Sequence, residues 1–394
     1  MAMATRSGRL VASTWPTTGR NIFPRANAHP LASVPLPARK RFMKDINLSR
    51  RHVLAGLSGL ALSGALPNLA RAQSDARIVV QTFPGTWEQA ARSVIVPAYA
   101  KATKGEVSIS PVLAVDALAR LAASKNAPPY DVILIDEPAE IVARAQDLLE
   151  PLPVAQMPNL AKLPPGLVGK DGYGAMAALQ VFGIAYNPRT VKNVPTSWED
   201  LWRPEYKGRV LINGPDTTIG ATWMVALAKM HGGSETDLEP AWKALEKLKP
   251  NLATIPPNPG AVGPLFQQGQ ADIAVGFLSV VEPLRARGVD IALAKPKEGW
   301  GIVSNIAHLV KGSKNKAQAA AYINTQIDAG VQSQLAKEPY YNVPSNRDVP
   351  FSGLLAQIAP NLEELLKSRN MNWAPIAAQR RELIDRFNRE FRRS

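Results

Sequence analysis

The stretch VFGIAYNPRTVKNVPTSWEDLWRPEYKGRVLINGPDTTIG, residues 181–220, decides the fold. It begins with an apolar run, 181–186, that is typical of a buried strand. Pro188 ends this strand, because proline has no N–H for the ladder. Ser197 follows as the cap of a short helix with apolar positions on one face. The change from strand to helix within so few residues indicates an α/β protein.

The second half of this stretch again predicts a strand followed by a capped helix, and this helix is the longer of the two. Residues 209–212 form an apolar strand, and Asp216, Thr217 and Thr218 then cap a long helix that runs to about Met230. In an open α/β sheet, ligands bind beyond the carboxyl ends of the strands, where helix N-termini offer free N–H groups. The polar turn at 216–218 is therefore a candidate binding element.

Two strings in this stretch carry a family resemblance, GIAYN at 183–187 and PTSWEDLWRPEYKGRV at 195–210. With the strand, polar turn and helix that follow, they resemble the middle of periplasmic solute-binding proteins of ABC importers, in the branch with spermidine/putrescine and ferric-ion binders. The resemblance implies an α/β, two-lobed periplasmic-binding-protein type II fold. Each lobe is then a mixed sheet flanked by helices, with the ligand cleft between the lobes.

The resemblance covers most of residues 77–347, through the further strings GQADIAVGF (269–277), LAKPKEG (293–299), KGSKN (311–315) and YYNVPSN (340–346). It implies that the chain crosses twice between the lobes. We therefore expect three parts: a leader, 1–72; lobe 1, 73–178 plus 301–347; and lobe 2, 179–300 plus 348–394. The last of these segments is helical by periodicity, and we expect it to pack on lobe 2.

Charge and cysteine content exclude several classes of function. Residues 1–72 hold 11 of the 46 Lys and Arg and only one of the 32 Asp and Glu, so they carry +10 of the formal charge of +14. A basic face for nucleic acid is therefore not indicated in the remainder. The chain has no cysteine, which excludes disulfides and thiol catalysis.

Residues 1–42 contain no acid, and we expect Met43 as an alternative start for the protein.

Residues 1–72 indicate export. The run from Ser49 to Leu54, SRRHVL, resembles a twin-arginine motif, and the apolar segment 53–66 after it is too short for a conventional transmembrane helix. Ala70-Arg71-Ala72 fits the small-x-small cleavage rule, so we expect a mature chain that begins at Gln73 in the periplasm. An ordinary secretory signal is the alternative.

The sequence contains no recognisable catalytic motif. HExxH, G-x-S-x-G, a phosphate loop and the dinucleotide glycine fingerprint are all missing. Beyond residue 72 there are two histidines, His231 at a predicted helix end and His308 in an apolar strand, and both suit structural roles. We therefore expect no catalytic residues, no metal and no cofactor.

The candidate ligand-binding residues lie in three strand-to-helix turns and on the strands near them. They are Phe83, Gly85, Thr86 and Trp87; Asp136 and Glu137; Asp216, Thr217, Thr218 and Gly220 with Trp223; and Phe277 and Asn305. The two glycines would let a ligand approach the backbone, and the two tryptophans could wall the cleft. The alternative is structural, because such acids and threonines cap helices and tryptophans at helical spacing usually belong to the core.

The sequence differs from both polyamine binders and ferric-ion binders at the positions expected to contact the ligand. Aligned by its PKEG string, the chain has Val303-Ser304-Asn305 where the polyamine binders of the family have a cleft Trp-x-Asp, and Phe277 where they have a tryptophan. The missing acid argues against a di- or triamine. A ferric site would need adjacent tyrosines with a histidine or an acid, and the only such pair, Tyr340-Tyr341, matches the tail motif of the family instead.

The sequence thus predicts a monomeric periplasmic binding component that closes on a small, amine-bearing or zwitterionic, polyamine-like ligand and delivers it to ABC permease subunits in the membrane. A receptor for an organic carboxylate or ferric ion is the alternative within binding, and a cleft arginine would favour the carboxylate. Arg189, Arg203 and Arg209 cannot be placed there from sequence. An enzyme or sensor subunit on the same two-lobed scaffold is the alternative of another class.

Overall fold

The computed structural model describes residues 77–392 of the 394-residue chain. The expected leader and its twin-arginine motif, residues 1–72, lie outside the described residues. Within the part of the chain that the structure describes, every helix is too short or too polar to cross a membrane.

Ten strands form one mixed sheet. They are β1 (Ile78–Thr82), β2 (Val107–Pro111), β3 (Val132–Asp136), β4 (Leu149–Glu150), β5 (Ala175–Tyr186), β6 (Val210–Leu211), β7 (Leu252–Thr254), β8 (Ile273–Phe277), β9 (Ala292–Ala294) and β10 (Gly301–Val310). Their order is β2-β1-β3-β10-β5-β8-β6-β7, with β4 beside β10 and β9 beside β5. We call the part built on β1–β3 the first lobe and the part built on β6–β8 the second lobe.

The helices flank the sheet and follow the strands. They are α1 (Thr86–Ala90), α2 (Val96–Thr103), α3 (Ala114–Ala123), α4 (Glu137–Ala145), α5 (Thr218–Met230), α6 (Glu239–Leu248), α7 (Val262–Gln267), α8 (Leu278–Ala286), α9 (Lys316–Gln326), α10 (Ala329–Leu335), α11 (Leu354–Ile358), α12 (Leu362–Leu366) and α13 (Trp373–Phe387). The segment Ala91–Ile95 between α1 and α2 is a π-helix, so the regular helical ladder is interrupted just before Pro97.

Two long antiparallel strands, β5 and β10, join the lobes. β10 pairs with β3 of the first lobe, with Asn305 opposite Asp136, and with β5 along most of its length. β5 continues past β10 and pairs with β8 of the second lobe, with Phe182 opposite Phe277. The chain therefore crosses between the lobes twice, as expected. The first crossing strand begins at Ala175 and not at residue 181, because its early residues are paired with β10.

Each lobe has an apolar core on both faces of its strands. In β3, Val132 and Leu134 contribute to one core cluster, while Ile133 and Ile135 contribute to the cluster on the opposite face. β8 divides its side chains in the same way between the two clusters of the second lobe. Alternation with burial on both faces explains the unbroken apolar runs in the sequence.

The C-terminal helices divide their packing between the two lobes. The buried side chains of α11 and α12 belong to the large core of the first lobe: Leu355, Ile358, Leu362 and Leu365. Those of α13 belong to the core of the second lobe: Trp373, Ile376, Leu383 and Phe387. Helix α13 also lies against α4, whose Ile141 packs against the second core. The segment expected on lobe 2 therefore spans both lobes.

Candidate functional site

Two of the predicted turns meet between the lobes. Asp136 ends β3 and caps α4, because one of its carboxylate oxygens accepts a hydrogen bond of 3.2 Å from the amide of Ala139. The other oxygen accepts a hydrogen bond from the hydroxyl of Thr218, the first residue of α5. Residues 82 positions apart in sequence are thus in direct contact. This bond joins an acid of the first lobe to a helix N-terminus of the second.

The turn before α5 is shaped by its own side chains. Thr217 caps α5, since its hydroxyl oxygen accepts from the amide of Gly220 at 3.2 Å and the hydroxyl donates to the carbonyl of Gly214 at 2.8 Å. A Cβ atom on Gly220 would lie 2.0 Å from the carbonyl oxygen of Gly214. The close approach of the two chain segments therefore requires glycine at 220 for packing, and its role in ligand approach stays a prediction.

Glu137 holds the C-terminal segment against the first lobe. One carboxylate oxygen forms an ion pair with Arg369, and the other accepts a hydrogen bond of 2.9 Å from the indole N–H of Trp373. Arg369 also donates from Nε to the hydroxyl of Ser304 in β10 at 3.2 Å. Both charged side chains are largely buried, with exposed fractions of 26% for Arg369 and 13% for Glu137.

Asp216 binds two arginines from the end of the chain. Its carboxylate accepts hydrogen bonds from both Nη atoms of Arg392, at 3.0 to 3.2 Å, and its backbone oxygen accepts from Nη2 of Arg380 at 3.0 Å. Burial lowers the pKa of Arg380 below its ordinary value, while the carboxylates of Asp136 and Asp216 oppose this effect. Arg380 therefore lies close to acids from both lobes.

Two buried amides near these turns have an oxygen with no described partner. Asn305 in β10 is 4% exposed, and no described group donates to its Oδ1. Asn213, which follows β6, is 3% exposed and donates from Nδ2 to the carbonyl of Val275 at 3.1 Å, but its Oδ1 likewise has no described partner. Buried polar atoms are nearly always paired, so such atoms indicate a place for water or a ligand.

The turn after β1 stands apart from this network. Pro84, Gly85 and Thr86 are exposed and Phe83 is half-buried, and no described hydrogen bond in residues 77–392 connects them with Asp136 or Thr218. Gly85 has φ of 82°, a value that favours glycine, and a Cβ atom there would meet nothing within 4 Å. The expected contribution of this turn to the site stays a prediction.

The predicted aromatic walls lie in the cores. Trp87 is 6% exposed and packs in the first lobe. Trp223 is 1% exposed and packs on Trp202, with ring centroids 6.3 Å apart. Phe277 is 8% exposed and meets Phe182 edge to face at 5.9 Å. This packing favours the structural alternative for all three rings.

The sequence did not single out the arginines of the site. Arg369 and Arg380 lie in the segment that was expected only to pack on a lobe, and amphipathic helices usually carry arginine on a solvated face. The three arginines considered from the sequence are engaged elsewhere, Arg189 with Asp290, Arg203 with Asp200 and Arg209 with Asp272. Only the folded chain shows which arginines reach the other lobe.

Glu298, the glutamate of the PKEG string, has a structural role. Its carboxylate accepts from the hydroxyl of Ser197 at 2.5 Å and from the amide of Trp198 at 3.2 Å, and so it holds the start of a short 3₁₀ helix, Trp198–Trp202. Among residues 77–392, no group of three or more His, Asp or Glu side chains is arranged to hold a metal ion.

Comparisons with known proteins agree with this architecture. Residues 127–378 match the family model of the bacterial extracellular solute-binding protein. The spermidine/putrescine-binding periplasmic protein of Escherichia coli is 27% identical over 235 residues, which are 55% of this chain and 64% of that protein. The chain thus matches just under two thirds of the length of this relative.

Solved structures show the same fold. An ABC transporter protein from Clostridium perfringens superposes with a TM-score of 0.67 at 23% identity, over 79% of this chain and 99% of that one. A spermidine/putrescine ABC transporter substrate-binding protein from Streptococcus pneumoniae superposes with a TM-score of 0.64 at 18% identity, over 79% and 98%. The family match covers more than half of the chain, so this protein belongs to the bacterial extracellular solute-binding protein family and is a binding protein, not an enzyme.

Proposed function

We propose that this chain is the periplasmic substrate-binding component of an ABC importer. It closes its lobes on a small, amine-bearing or zwitterionic organic ligand and delivers that ligand to permease subunits in the membrane. The family match supports the role, and the named polyamine-binding relative supports an amine in the ligand. The twin-arginine motif in residues 1–72 supports export by that route, and we propose that the exported protein acts as a monomer without a cofactor.

The observation that carries this proposal is the bond between the Asp136 carboxylate and the Thr218 hydroxyl. It joins the carboxyl end of a strand in one lobe to the N-terminus of a helix in the other, which is where open α/β sheets bind ligands. A ligand placed there would contact both lobes and would therefore favour the closed form over the open one.

For the lobes we propose the expected division, 73–178 plus 301–347 and 179–300 plus 348–394, with one change. Helices α11 and α12 join the first lobe, because their buried side chains lie in its core. Helix α13 stays with the second lobe, since Trp373 and Phe387 lie in the core there. The end of the chain then forms a third connection between the lobes.

The proposed binding residues centre on the contact between the turns. Asp136 supplies negative charge, Glu137 and Asp216 hold Arg369 and Arg392 beside it, and Asn305 supplies a buried amide oxygen with no described partner. Thr217 and Thr218 shape the start of α5. The turn with Phe83, Gly85 and Thr86 would lie at the rim, where an exposed backbone could meet one end of the ligand.

Calorimetric titration of the purified protein with putrescine, spermidine, amino acids and small carboxylates tests this proposal. We expect heat of binding with at least one amine-bearing compound and at least tenfold weaker binding in Asp136→Asn, since the variant keeps the shape of the side chain but not its charge. Asp116→Asn is the matched control, because Asp116 is an exposed acid in α3, outside the contact between the turns. Equal weakening in both variants, or binding by carboxylates alone, would contradict the proposal.

A further inference from the structure

Among the three acids of the proposed site and the arginines that contact them, one acid and one arginine have no ion-pair partner in the described residues. Glu137 is paired with Arg369, and Asp216 is paired with Arg392. The two remaining charged residues of this contact are Asp136 and Arg380. Among the residues described, neither of them forms an ion pair. The two single charges have opposite sign.

Arg380 has a free hydrogen-bond donor in a buried position. Its Nη2 donates to the backbone oxygen of Asp216, but its Nη1 is buried and has no acceptor among the described residues. A buried guanidinium N–H without an acceptor is costly, and a carboxylate is the planar acceptor that fits it best. The carboxylate of Asp136 opposes the lowering of the pKa of Arg380, but the two side chains form no hydrogen bond or ion pair with each other within residues 77–392. There is thus a separation between the two charges.

The start of α5 adds further donors beside Arg380. The amides of Thr218 and Ile219 donate to no acceptor in residues 77–392, as the first amides of a helix do. Arg380 is bonded to Asp216, two residues before Thr218, so its guanidinium and this helix N-terminus lie at the same edge. Both features favour an anion.

The opposite side of this edge offers the acceptor oxygens of Asp136 and Asn305. Asn305 lies directly across from Asp136 in the pairing of β10 with β3, and its buried Oδ1 accepts no hydrogen bond from a described residue. A carboxylate and an amide oxygen side by side suit an ammonium group.

We infer that the ligand is a zwitterion, with its ammonium group against Asp136 and Asn305 and its carboxylate against Arg380 and the first amides of α5. This inference rests on the proposed function and narrows its ligand class. It assigns Arg380 as the residue that selects an amino acid over a diamine, because a second ammonium group would meet a guanidinium there. Arg380 comes from α13, so the end of the chain completes the site.

Three probe series with matched carbon chains test the inference in the full-length purified protein: ω-amino acids, the corresponding diamines and the corresponding monocarboxylates. We expect the tightest binding in the ω-amino acid series, at least tenfold tighter than the diamine of the same length. In Arg380→Gln, the affinity for the amino acid should fall about ten- to a hundredfold and the affinity for the diamine should not fall. The affinity of Arg380→Lys for the amino acid should lie between those of the wild type and Arg380→Gln, because lysine keeps the charge but lacks the planar pair of N–H donors.

Arg381→Gln is the matched control, because the neighbouring arginine on the same helix has a side chain that is 97% exposed. It should bind every probe as the wild type does. A diamine that binds more tightly than the amino acid, with no effect of Arg380→Gln, would overturn the inference and leave the proposed function intact. Binding of none of the three series would overturn both. Aminoalkylphosphonates of the same lengths form a further arm, and tighter binding of these would overturn the assignment of a carboxylate.

Discussion

The hydroxyl of Thr218 donates a hydrogen bond to the carboxylate of Asp136, and so the first residue of α5 in one lobe is tied to the last residue of β3 in the other. A hydrogen bond to a charged acceptor contributes about 1.5–3 kcal/mol. Both of its groups belong to the chain, so the bond by itself stabilises contact between the lobes.

Thr218→Val should shift the free protein toward an open form. The variant keeps the size of the side chain and removes the donor, and a loss of about 1.4 kcal/mol would change the ratio of closed to open molecules about tenfold. Small-angle X-ray scattering of the unliganded protein should show a larger radius of gyration than the wild type. Thr254→Val, at an exposed position of β7, is the control. Identical scattering of Thr218→Val and wild type would contradict the role of the bond.

Trp373→Phe should destabilise the protein through Glu137. The change removes the indole N–H and leaves a buried carboxylate oxygen without that donor. Trp87→Phe is a matched control, because the buried Nε1 of Trp87 has no described acceptor and the same volume is lost. We expect the free energy of unfolding to fall by about 1–2 kcal/mol more in Trp373→Phe than in Trp87→Phe, as measured by urea denaturation. An equal loss of stability in both variants would mean that only the reduced ring volume matters, which would contradict a contribution from the hydrogen bond to Glu137.

Gly220→Ala should disturb the start of α5. The new Cβ would lie 2.0 Å from the carbonyl oxygen of Gly214, so the turn or the helix must move. We expect a loss of stability of about 2 kcal/mol or more, together with weaker ligand binding, because Thr218 moves with the helix. Gly260→Ala is the control, since its nearest neighbour is a side-chain atom at 3.2 Å. If the variant were as stable as the wild type, the chain near Gly214 could move away from residue 220 without cost, and the prediction would be wrong.

His308 should make the protein sensitive to acid. It is fully buried, and burial lowers its pKa from 6.5 to about 3. As the pH falls below about 6.5, the unfolded chain binds a proton that the folded chain does not, so stability is lost between about pH 6.5 and 3. From pH 7 to pH 5 this residue alone should remove about 2 kcal/mol from the free energy of unfolding.

Urea denaturation at pH 7 and pH 5 measures this loss. His308→Leu should lose about 2 kcal/mol less than the wild type between the two pH values, because its side chain cannot titrate. His231→Gln is the control, since His231 is exposed at the end of α5 and should follow the wild type. The same loss in His308→Leu and wild type would show that another group causes the acid sensitivity.

Local patterns predicted the elements of this fold well. Ser197 and Asp200 form the expected cap, with the amide of Ser197 donating to the Asp200 carboxylate at 3.2 Å, although the helix that follows is 3₁₀. The apolar run before Asp136 is the buried strand β3. These features depend on neighbours in sequence, where propensity and periodicity carry information.

The sequence could supply only part of the proposed site, for a physical reason. Asp136, Asp216 and Thr218 follow strands, so the sequence shows them at the edge where ligands bind. Arg369, between α12 and α13, and Arg380, on α13, lie more than 140 residues beyond these turns, in a segment whose packing depends on both lobes. Nothing in the period of a helix tells which of its arginines faces another lobe, as the exposed Arg381 beside Arg380 illustrates.

A crystal structure of the protein with the tightest-binding ω-amino acid tests the central claim most directly. The account predicts a ligand between the lobes, with its ammonium group within hydrogen-bond distance of Asp136 and its carboxylate within reach of Nη1 of Arg380. A ligand elsewhere would contradict it, for example in the surface groove of about 480 Å³ that Glu199, Trp202 and His231 line in the second lobe.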